Sequence, residues 1–538
     1  MPQTLYQALK ASAAMAPDNP FICVPAGPSY APAGLEWTYR EVEQRVEAQA
    51  KRYRAAGYGV GHRVALLLDN RPDHFVHLLA LNAVGASAVP VNPDYRHNEL
   101  TFQMAHSDAD LAICLGQHIE RMGAVADESR SGLYVINAEN GSGDLPDARR
   151  PAHEQALDRN TEAAVFYTSG TTGRPKGCIV TNDYWLTVGE WFIALSEDGG
   201  WFRMEPGKDR LFNPMPVFHV HAGVVAFAPM LLSQGCLIRP DYFQAKRWWR
   251  DIIASRATIA HYIGVVPQAL LAQQESAEER NHQVRWGFGA GMEPSLHARF
   301  EARFGFPHIE VWGMTEIGRW LADDHEPRSM SSRAIGRPFG ALQARVVDEE
   351  DKDVPRGAEG ELLVRLEGPN PRRGFFAGYL KDEAVTEAGW RNGWWHSGDV
   401  VRQDASGMIY FVDRKKHLIR RSGENISAAE IEALLYGHPS VGHAAVLPVL
   451  DEIRGEEVLA CIVPKLGCRA DASLADELFL YCLNRLAYYK APGWIIFLEQ
   501  LPMTPTQKVS KTQIFAEGVD PRRHSGALDL RARKRRTV

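Results

Sequence analysis

The sequence predicts an α/β protein of at least two domains, and three observations carry this prediction. The chain has 538 residues, whereas a single domain usually holds ~100–200. Strand-like apolar runs alternate with helical stretches in its first part, as in a parallel sheet with crossover helices. Near residue 413 a charged cluster separates this part from a shorter region with an α+β pattern.

The N-terminal elements follow from local patterns. Thr38 and Glu41 have the spacing of a capping box, so a helix is predicted from this point to about Ala56. Apolar runs bounded by polar or turn residues are typical of buried strands. By these criteria strands are predicted over residues 63–70, 86–93 and 109–115, with helices over 74–84 and near Leu100.

The boundary between the two domains is predicted at the charged cluster Asp413-Arg414-Lys415-Lys416. A strand over 409–412 precedes it, and a strand over 417–420 and a helix from about Ser427 follow. The basic run at the C-terminus is expected to be a solvated, frayed tail, although such a run can also touch RNA or acidic lipid. The predicted division is 1–414 for the N-terminal domain, 415–520 for the C-terminal domain and 521–538 for the tail.

Composition excludes several classes of protein. A net charge of -6 with 45 % hydrophobic and 23 % charged residues is typical of a globular protein and does not indicate a nucleic-acid partner. The most apolar stretch, 224–238, is too short and too interrupted to span a membrane. No basic segment followed by an apolar core opens the chain, and the seven cysteines form no CxxC pair. We therefore expect a cytoplasmic protein with reduced thiols.

Residues 167–177, YTSGTTGRPKG, form a loop rich in glycine and hydroxyl groups. It follows a strand predicted over 162–168, so its amides and hydroxyls are available to phosphate oxygens, and Lys176 adds a positive charge. A Walker A loop requires G-x-x-x-x-G-K-[ST], but two residues separate Gly173 from the lysine here and a glycine follows it. A plain Ser/Thr/Gly turn is the alternative for so short a stretch. The loop alone does not decide between a phosphate-binding loop and a plain turn.

The loop resembles the signature loop of the adenylate-forming superfamily, which includes acyl-CoA synthetases, adenylation domains of peptide synthetases and firefly luciferase. Further motifs of that superfamily occur in the same order, and six in order are hard to obtain by chance. They are PVFHVHAG (216–223), GAGMEPS (289–295), VWGMTEIG (311–318), GYL with NGWWHSGDV (378–380 and 392–400), FVDRKKHLIRRSGENISAAEIE (411–432) and LPMTPTQKVSK (501–511). RRSGENISAAEIE most resembles the branch with crotonobetaine/carnitine-CoA ligases.

The resemblance covers about residues 30–515 and implies an architecture. It implies a large N-terminal domain of mixed, layered α/β sheets with a small β-barrel-like part, and a smaller, mobile α+β C-terminal domain. It also implies ATP, Mg²⁺ and coenzyme A as partners. Magnesium is needed because the polyphosphate charge must be neutralised before a carboxylate can approach.

The resemblance assigns most of the candidate ATP site. Glu316 is the magnesium ligand, with a surface carboxylate as its alternative reading, and Thr315 contacts phosphate. Trp312 stacks on adenine, although tryptophans are more often core residues. Asp399 accepts from the ribose hydroxyls, because a carboxylate accepts twice and donates nothing. The remaining ATP-binding candidates are Thr168, Ser169, Gly170, Thr171, Thr172, Gly173, Lys176, Gly289, Ala290, Gly291, Gly313, Met314 and Arg414.

The catalytic candidates extend into the C-terminal domain. Lys508 is the expected catalytic lysine, because a positive charge delivered at the α-phosphate stabilises the transition state more than the ground state. Gln507 departs from the glycine most common before that lysine. His219 is either a gate of the acyl pocket or a satisfied core histidine, and Lys416 is the expected hinge residue. The coenzyme A candidates are Gly423, Glu424, Asn425, Tyr489 and Lys490.

The implied reaction converts a carboxylic acid and MgATP into an acyl-adenylate, and then into acyl-CoA and AMP. Neither a carrier-protein segment nor a condensation domain is recognised, which favours free coenzyme A. A stand-alone enzyme that loads a carrier protein, a luciferase-like oxygenase and a non-catalytic nucleotide-binding protein are the alternatives. The stretches near 185–191, 220–224, 287–291 and 313–320 are expected to line the acid pocket. They show no clear buried arginine or lysine for a second carboxylate, so a monocarboxylic acyl or aryl acid is expected, with a second, distant polar group on the substrate as the alternative. The oligomeric state stays open.

Overall fold

A computed structural model describes most of the chain. The described residues are 1–27, 30–129, 132–140, 144–168, 175–262, 266–415, 418–421, 424–452, 454–486, 488–503 and 509–534. They form two compact units. The first comprises Met1–Ser331, Gly336–Gln343 and Arg365–Gly393, and the second comprises Ser332–Ile335, Ala344–Val364 and Trp394–Val538. The predicted boundary at 414/415 stays a prediction.

The helices begin and end close to their predicted positions. Thr38 caps the second helix, its hydroxyl accepting from the amide of Glu41, whose side chain reaches back to the Thr38 amide. The α-helices are α1 Leu5–Met15, α2 Tyr39–Ala55, α3 Asp73–Val84, α4 His97–Ser107, α5 Ile119–Ser129, α6 Asn182–Ala194, α7 Phe227–Leu232, α8 Trp248–Ala254, α9 Val266–Leu271, α10 Pro294–Phe304, α11 Glu383–Gly389, α12 Ala428–Tyr436 and α13 Ala472–Leu483.

The strands are β1 Pro20–Val24, β2 Leu35–Thr38, β3 Arg63–Leu67, β4 Ser87–Pro90, β5 Leu111–Cys114, β6 Tyr134–Asn137, β7 Glu162–Thr168, β8 Lys176–Thr181, β9 Arg210–Phe212, β10 Cys236–Ile238, β11 Ile259–His261, β12 Trp286–Gly289, β13 His308–Gly313, β14 Trp320–Ala322, β15 Ala334–Gly336, β16 Leu342–Val347, β17 Glu359–Leu366, β18 Gly378–Tyr379, β19 Trp390–Arg391, β20 Trp394–Gln403, β21 Ile409–Arg414, β22 Leu418–Arg421, β23 Glu424–Ser427, β24 Val441–Asp451, β25 Gly455–Pro464, β26 Trp494–Phe497 and β27 Leu528–Asp529.

Two sheets organise the first unit. One has the order β18-β8-β7-β4-β3-β5-β6, and its strands from β7 to β6 are parallel, as predicted. The other has the order β14-β13-β12-β11-β9-β10-β1-β2, parallel from β13 to β1 with antiparallel edges. Strands such as β4 and β5 are buried throughout because parallel sheets are covered on both faces.

The second unit also contains two sheets. One has the order β15-β21-β20-β17-β16, and the other β23-β22-β25-β26-β27 with β24 also on β25. In the described residues the first of these sheets is open, so the expected barrel-like part does not close into a barrel. Helices α12 and α13 bury Ile431, Leu435, Leu478 and Phe479 in the core of the other sheet. The mixed α/β fold with a large and a smaller part is confirmed.

The described part of the C-terminal tail is packed. Strand β27 pairs antiparallel with β26, and Lys534 is only 5 % exposed. Arg531 lies 2.9 Å from Asp451, and Arg522 lies 2.7 Å from Glu452. The run of basic residues suggested a solvated tail, whereas the fold pairs Arg522 and Arg531 with nearby Asp520 and Asp529 and also with the distant Glu452 and Asp451.

Candidate active site

The phosphate loop connects two antiparallel strands. Strand β7 ends at Thr168, strand β8 begins at Lys176, and these two residues face each other across the pair. The loop therefore closes a hairpin, whereas a Walker A loop leads from a strand into a helix. Thr168 and Lys176 are thus fixed at one end of the sheet by strand pairing.

Tyr379 connects Lys176 to Glu316. The Lys176 ammonium lies 4.8 Å from the centroid of the Tyr379 ring, which is a cation–π contact. The Tyr379 hydroxyl donates a 2.5 Å hydrogen bond to Oε1 of Glu316, whose side chain is buried. Burial and the Glu316 carboxylate raise the pKa of Tyr379, so the hydroxyl keeps its proton. Lysine, tyrosine and glutamate therefore form one connected cluster.

This cluster fits a magnesium–phosphate complex. Among the described residues no three His, Cys, Asp or Glu side chains converge as a metal centre. Magnesium does not need such a centre, because it is usually bound through one or two carboxylates together with substrate phosphates. Glu316 would supply one such carboxylate and Lys176 a positive charge for phosphate, and both roles stay predictions.

The turn over residues 289–291 follows strand β12. A Cβ at Gly289 would lie 1.9 Å from the carbonyl oxygen of Tyr262, so only glycine allows this approach of the two backbones. The carboxylate of Glu310 accepts a 2.6 Å hydrogen bond from the amide of Gly291. The turn predicted to line adenine is therefore fixed by backbone packing and by the neighbouring strand.

The segment over residues 312–315 leaves the end of β13. Trp312 is buried, and the Tyr184 hydroxyl donates a 2.7 Å hydrogen bond to the carbonyl of Thr315. A Cβ at Gly313 would lie 2.8 Å from the carbonyl oxygen of Arg319, so the segment is also restrained from its other side. Stacking of Trp312 on adenine stays a prediction.

A cavity lies beside these strands in the first unit. Its walls include His221, His261, Phe288, Thr315, Arg319 and Trp320. His221 begins a π-helix, His221–Val225, a form that is frequent at functional sites. His219 is partly buried, with its ring 4.6 Å from that of Phe218, and its role as a gate stays a prediction.

Arg319 corrects an expectation drawn from the sequence. It lies in one of the predicted pocket stretches, lines the cavity and is only 4 % exposed, although no clear buried arginine was expected there. Its Nη1 donates a 3.2 Å hydrogen bond to the carbonyl of Arg373, and its guanidinium lies 5.8 Å from the Phe375 ring centroid. Burial lowers the pKa of Arg319 to about 10, so it remains a cation at neutral pH.

Asp399 and Arg414 form a pair in the second unit. They face each other on β20 and β21, with Nε of Arg414 2.6 Å from Oδ1 of Asp399. Asp399 is buried and Arg414 is more exposed. The structure therefore brings together two residues that the resemblance assigns to the nucleotide, and a carboxylate has further lone pairs for hydroxyl donors.

The neighbours of Arg414 in the charged cluster are also engaged. Asp413 accepts a 2.9 Å hydrogen bond from the amide of Ala429 at the start of α12. Lys415 donates a 3.1 Å hydrogen bond to Glu361. Burial alone raises the pKa of Glu361, but His396 and Lys415 together lower it to about 2. The cluster is therefore more than a solvated charge run.

The coenzyme A candidates also belong to the second unit. Glu424 and Asn425 lie in β23, which pairs with β22; their side chains are outside the description. Lys490 donates hydrogen bonds of 2.7 and 3.0 Å to the carboxylate of Glu430. The carbonyl of Tyr489 accepts a 2.9 Å hydrogen bond from Lys534. These contacts fix the residues within their unit, and their binding of coenzyme A stays a prediction.

Eight candidates lie outside the described residues, and their roles stay predictions: Ser169, Gly170, Thr171, Thr172, Gly173, Lys416, Gly423 and Lys508. Sequence reasoning assigned no role to Tyr379, His261 or Arg319. Tyr379 stood in the quoted motif GYL, which was its one sequence signal. The other two are recognised only by burial and by the partners that the fold gives them.

The chain matches two family models. The model described as AMP-binding enzyme matches residues 9–380, and the model described as AMP-binding enzyme C-terminal domain matches residues 430–508. In the described residues, the helices are all too short or too polar to cross a membrane.

Named relatives align over nearly the whole chain. A crotonobetaine/carnitine–CoA ligase of Proteus mirabilis is 29 % identical over 498 residues, which are 89 % of this chain and 93 % of the relative. A sulfoacetate–CoA ligase of Cupriavidus necator is 29 % identical over 520 residues, 95 % and 97 % of the two chains. The crystal structure of ATP-bound MatB from Rhodopseudomonas palustris has a TM-score of 0.80 at 26 % identity, covering 95 % of this chain and 98 % of that one.

Proposed function

Because the chain belongs to the AMP-binding enzyme family, we propose that it is an ATP-dependent acid–CoA ligase acting through an acyl-adenylate. ATP, magnesium and coenzyme A are general partners of this family. The connected cluster of Lys176, Tyr379 and Glu316 carries the proposal within the structure. It combines a phosphate-binding cation with an oriented carboxylate for magnesium at the end of the loop hairpin.

The first half-reaction takes place at the α-phosphate. A carboxylate oxygen of the acid bonds to the α-phosphorus, the bond from that phosphorus to the bridging oxygen breaks, and pyrophosphate leaves. In this step Lys176 and the hydroxyls and amides of its loop bind the β- and γ-phosphates. Glu316 would hold the magnesium ion, which would supply positive charge to neutralise the phosphates. Lys508 stabilises the negative charge that gathers on the α-phosphate.

The second half-reaction uses the acyl-adenylate as electrophile. The thiol of coenzyme A loses its proton, its sulfur bonds to the acyl carbon, and AMP leaves with one oxygen of the original acid. We assign Gly423, Glu424, Asn425, Tyr489 and Lys490 to coenzyme A, and Lys416 to a hinge, from their motif positions. Asp399 and Arg414 are assigned to the ribose and its phosphate, an assignment that their ion pair supports.

The proposed function is tested by product analysis. The enzyme is incubated with MgATP, coenzyme A and a panel of short, branched, aromatic and dicarboxylic acids. We expect AMP, pyrophosphate and acyl-CoA in equal amounts with at least one acid. Pyrophosphate release without a coenzyme A thioester would instead indicate an enzyme that loads a carrier protein. ADP and phosphate as products would contradict the proposal.

A further inference from the structure

Within the described part of the chain, Arg319 is a buried cation without a carboxylate partner. Among the residues that the structure describes, its polar contact is the Arg373 carbonyl. Asp183 and Glu190 favour its charge from a distance, but both are paired with Arg159. A buried charge without a counter-ion is costly. A cation of this kind in the wall of a cavity indicates a ligand that supplies the missing negative charge.

His261 presents a second donor in the same cavity. Oδ1 of Asn213 accepts from the amide of Met215 at 2.9 Å and from Nη1 of Arg239 at 2.6 Å. The Asn213 amide nitrogen is thereby turned to Nδ1 of His261, 2.8 Å away, and donates to it. The imidazole proton is therefore on Nε2. This Nε2–H is buried, and it has no hydrogen-bond partner in the described part of the chain.

Two further donors lie near the cavity, Thr187 beside Arg319 and Trp320 in the cavity wall. Oγ1 of Thr187 and Nε1 of Trp320 are buried without a hydrogen-bond partner among the described residues. A Cβ at Gly374 would lie 2.6 Å from Nη2 of Arg319 and 2.9 Å from Cγ2 of Thr187, so the guanidinium and the threonine lie close together. All these groups donate hydrogen bonds. A ligand group that fits them is therefore one that accepts several hydrogen bonds and donates none.

We propose that the acid substrate carries a second anionic group, a carboxylate or a sulfonate, which is bound by Arg319 together with Nε2–H of His261. The inference rests on the proposed function and names the substrate class of that site. A planar guanidinium binds the oxygens of such groups in pairs, and the neutral imidazole adds a directed hydrogen bond. Trp320 and Phe288 add an apolar wall to the same cavity for the carbon chain of the acid.

The test compares acids of equal chain length. Butanoate, succinate and 3-sulfopropanoate differ only in the terminal group, and acid-dependent AMP formation gives kcat/KM for each. We expect the wild type to prefer succinate or 3-sulfopropanoate to butanoate, and the two anions show whether a carboxylate or a sulfonate fits better. Arg319→Met is expected to lower kcat/KM for the preferred anion on the order of 100-fold, mainly through KM, and to leave butanoate unchanged.

Three further variants separate recognition from folding. Arg319→Lys retains the charge and is expected to keep a weaker anion preference, while His261→Phe is expected to lower it on the order of 10-fold. Arg303→Met removes another buried arginine, one paired with Glu279, and is expected to leave the preference unchanged. The preference is a ratio within one sample, so partial unfolding of a variant does not alter it.

Two results distinguish this inference from the proposed function. The inference is wrong and the ligase assignment stands if acids without a second anionic group form thioesters while neither succinate nor 3-sulfopropanoate does. The same conclusion follows if Arg319→Met retains the preference for a second anionic group. Succinate or 3-sulfopropanoate is also tested for raising the Tm of the wild type but not of Arg319→Met. That shift without any adenylate or thioester would support the anion site and contradict the proposed function.

Discussion

In the first unit Arg319 is buried with a carbonyl as its polar partner, whereas in the second unit Arg421 and Lys534 are buried against one carboxylate. Nε of Arg421 lies 2.8 Å and Nζ of Lys534 2.6 Å from the two oxygens of Glu457, which is fully buried. A buried cation that has its counter-ion in the fold is balanced by the fold itself. A buried cation without one, in a cavity wall, is explained by a ligand.

The largest expected effect comes from removing the counter-ion of the second unit. Glu457→Gln leaves Arg421 and Lys534 buried without a carboxylate between them, and breaking such a network costs about 3–5 kcal/mol. Chemical denaturation measures this loss in the free energy of unfolding. Glu517→Gln, at an exposed position, is the control and is expected to change stability by less than about 0.5 kcal/mol. Equal losses in the free energy of unfolding of both variants would contradict the structural role of Glu457.

Lys508 is expected to act in catalysis. Lys508→Ala should lower acid-dependent pyrophosphate release on the order of 100- to 1000-fold, because one positive charge at the α-phosphate is lost. Thioester formation from a supplied acyl-adenylate should be largely retained. Lys465→Ala, at an exposed position in the same domain, is expected to leave both half-reactions unchanged. Equal loss of both half-reactions in Lys508→Ala would contradict the assignment.

The contribution of Lys534 to the free energy of unfolding is expected to depend on pH. Burial lowers the pKa of Lys534 from 10.5 to about 8. Between these values the unfolded chain keeps a proton that the folded protein has lost, so the contribution of Lys534 to stability rises with pH. Below about pH 8 the full penalty is present. Relative to Lys534→Met, the wild type should gain up to roughly 3 kcal/mol between pH 7 and pH 10. A difference independent of pH would show that the pKa of Lys534 is not lowered.

The smallest effect is expected at Arg319. Arg319→Met should not lower the free energy of unfolding of the unliganded protein by more than about 1 kcal/mol, because it removes a buried charge that lacks a counter-ion and is costly to bury. Chemical denaturation without ligand measures it, beside Glu457→Gln. A loss as large as that of Glu457→Gln would show that Arg319 supports the fold, and the contrast between the two units would fail.

Much of the fold was predictable from local patterns. The strand expected over 162–168 is β7 with the same bounds, and the capping box at Thr38 begins α2. Both depend on neighbouring residues alone, namely an apolar run and a pair of polar residues with fixed spacing. The motif order likewise predicted the family, because each motif is short and local.

The rest depends on residues far apart in the chain. Lys534 is buried next to Glu457, 77 positions earlier, which accepts its hydrogen bond. No local sequence pattern predicts such a pair. Arg319 packs beside Gly374, and the proton position on His261 is set by Asn213, so both depend on residues that are distant in the chain. In the sequence, Arg319 after a glycine is indistinguishable from a surface arginine, so its burial in the cavity wall could not be predicted.

The fate of the acid's oxygen tests the central claim, attack of a carboxylate on the α-phosphate, most directly. An acid labelled with ¹⁸O in its carboxylate is converted with MgATP and coenzyme A, and the products are analysed by mass spectrometry. The account predicts one ¹⁸O in each AMP and none in pyrophosphate, because AMP leaves with an oxygen of the acid. Label in inorganic phosphate, with ADP as its partner product, would contradict it.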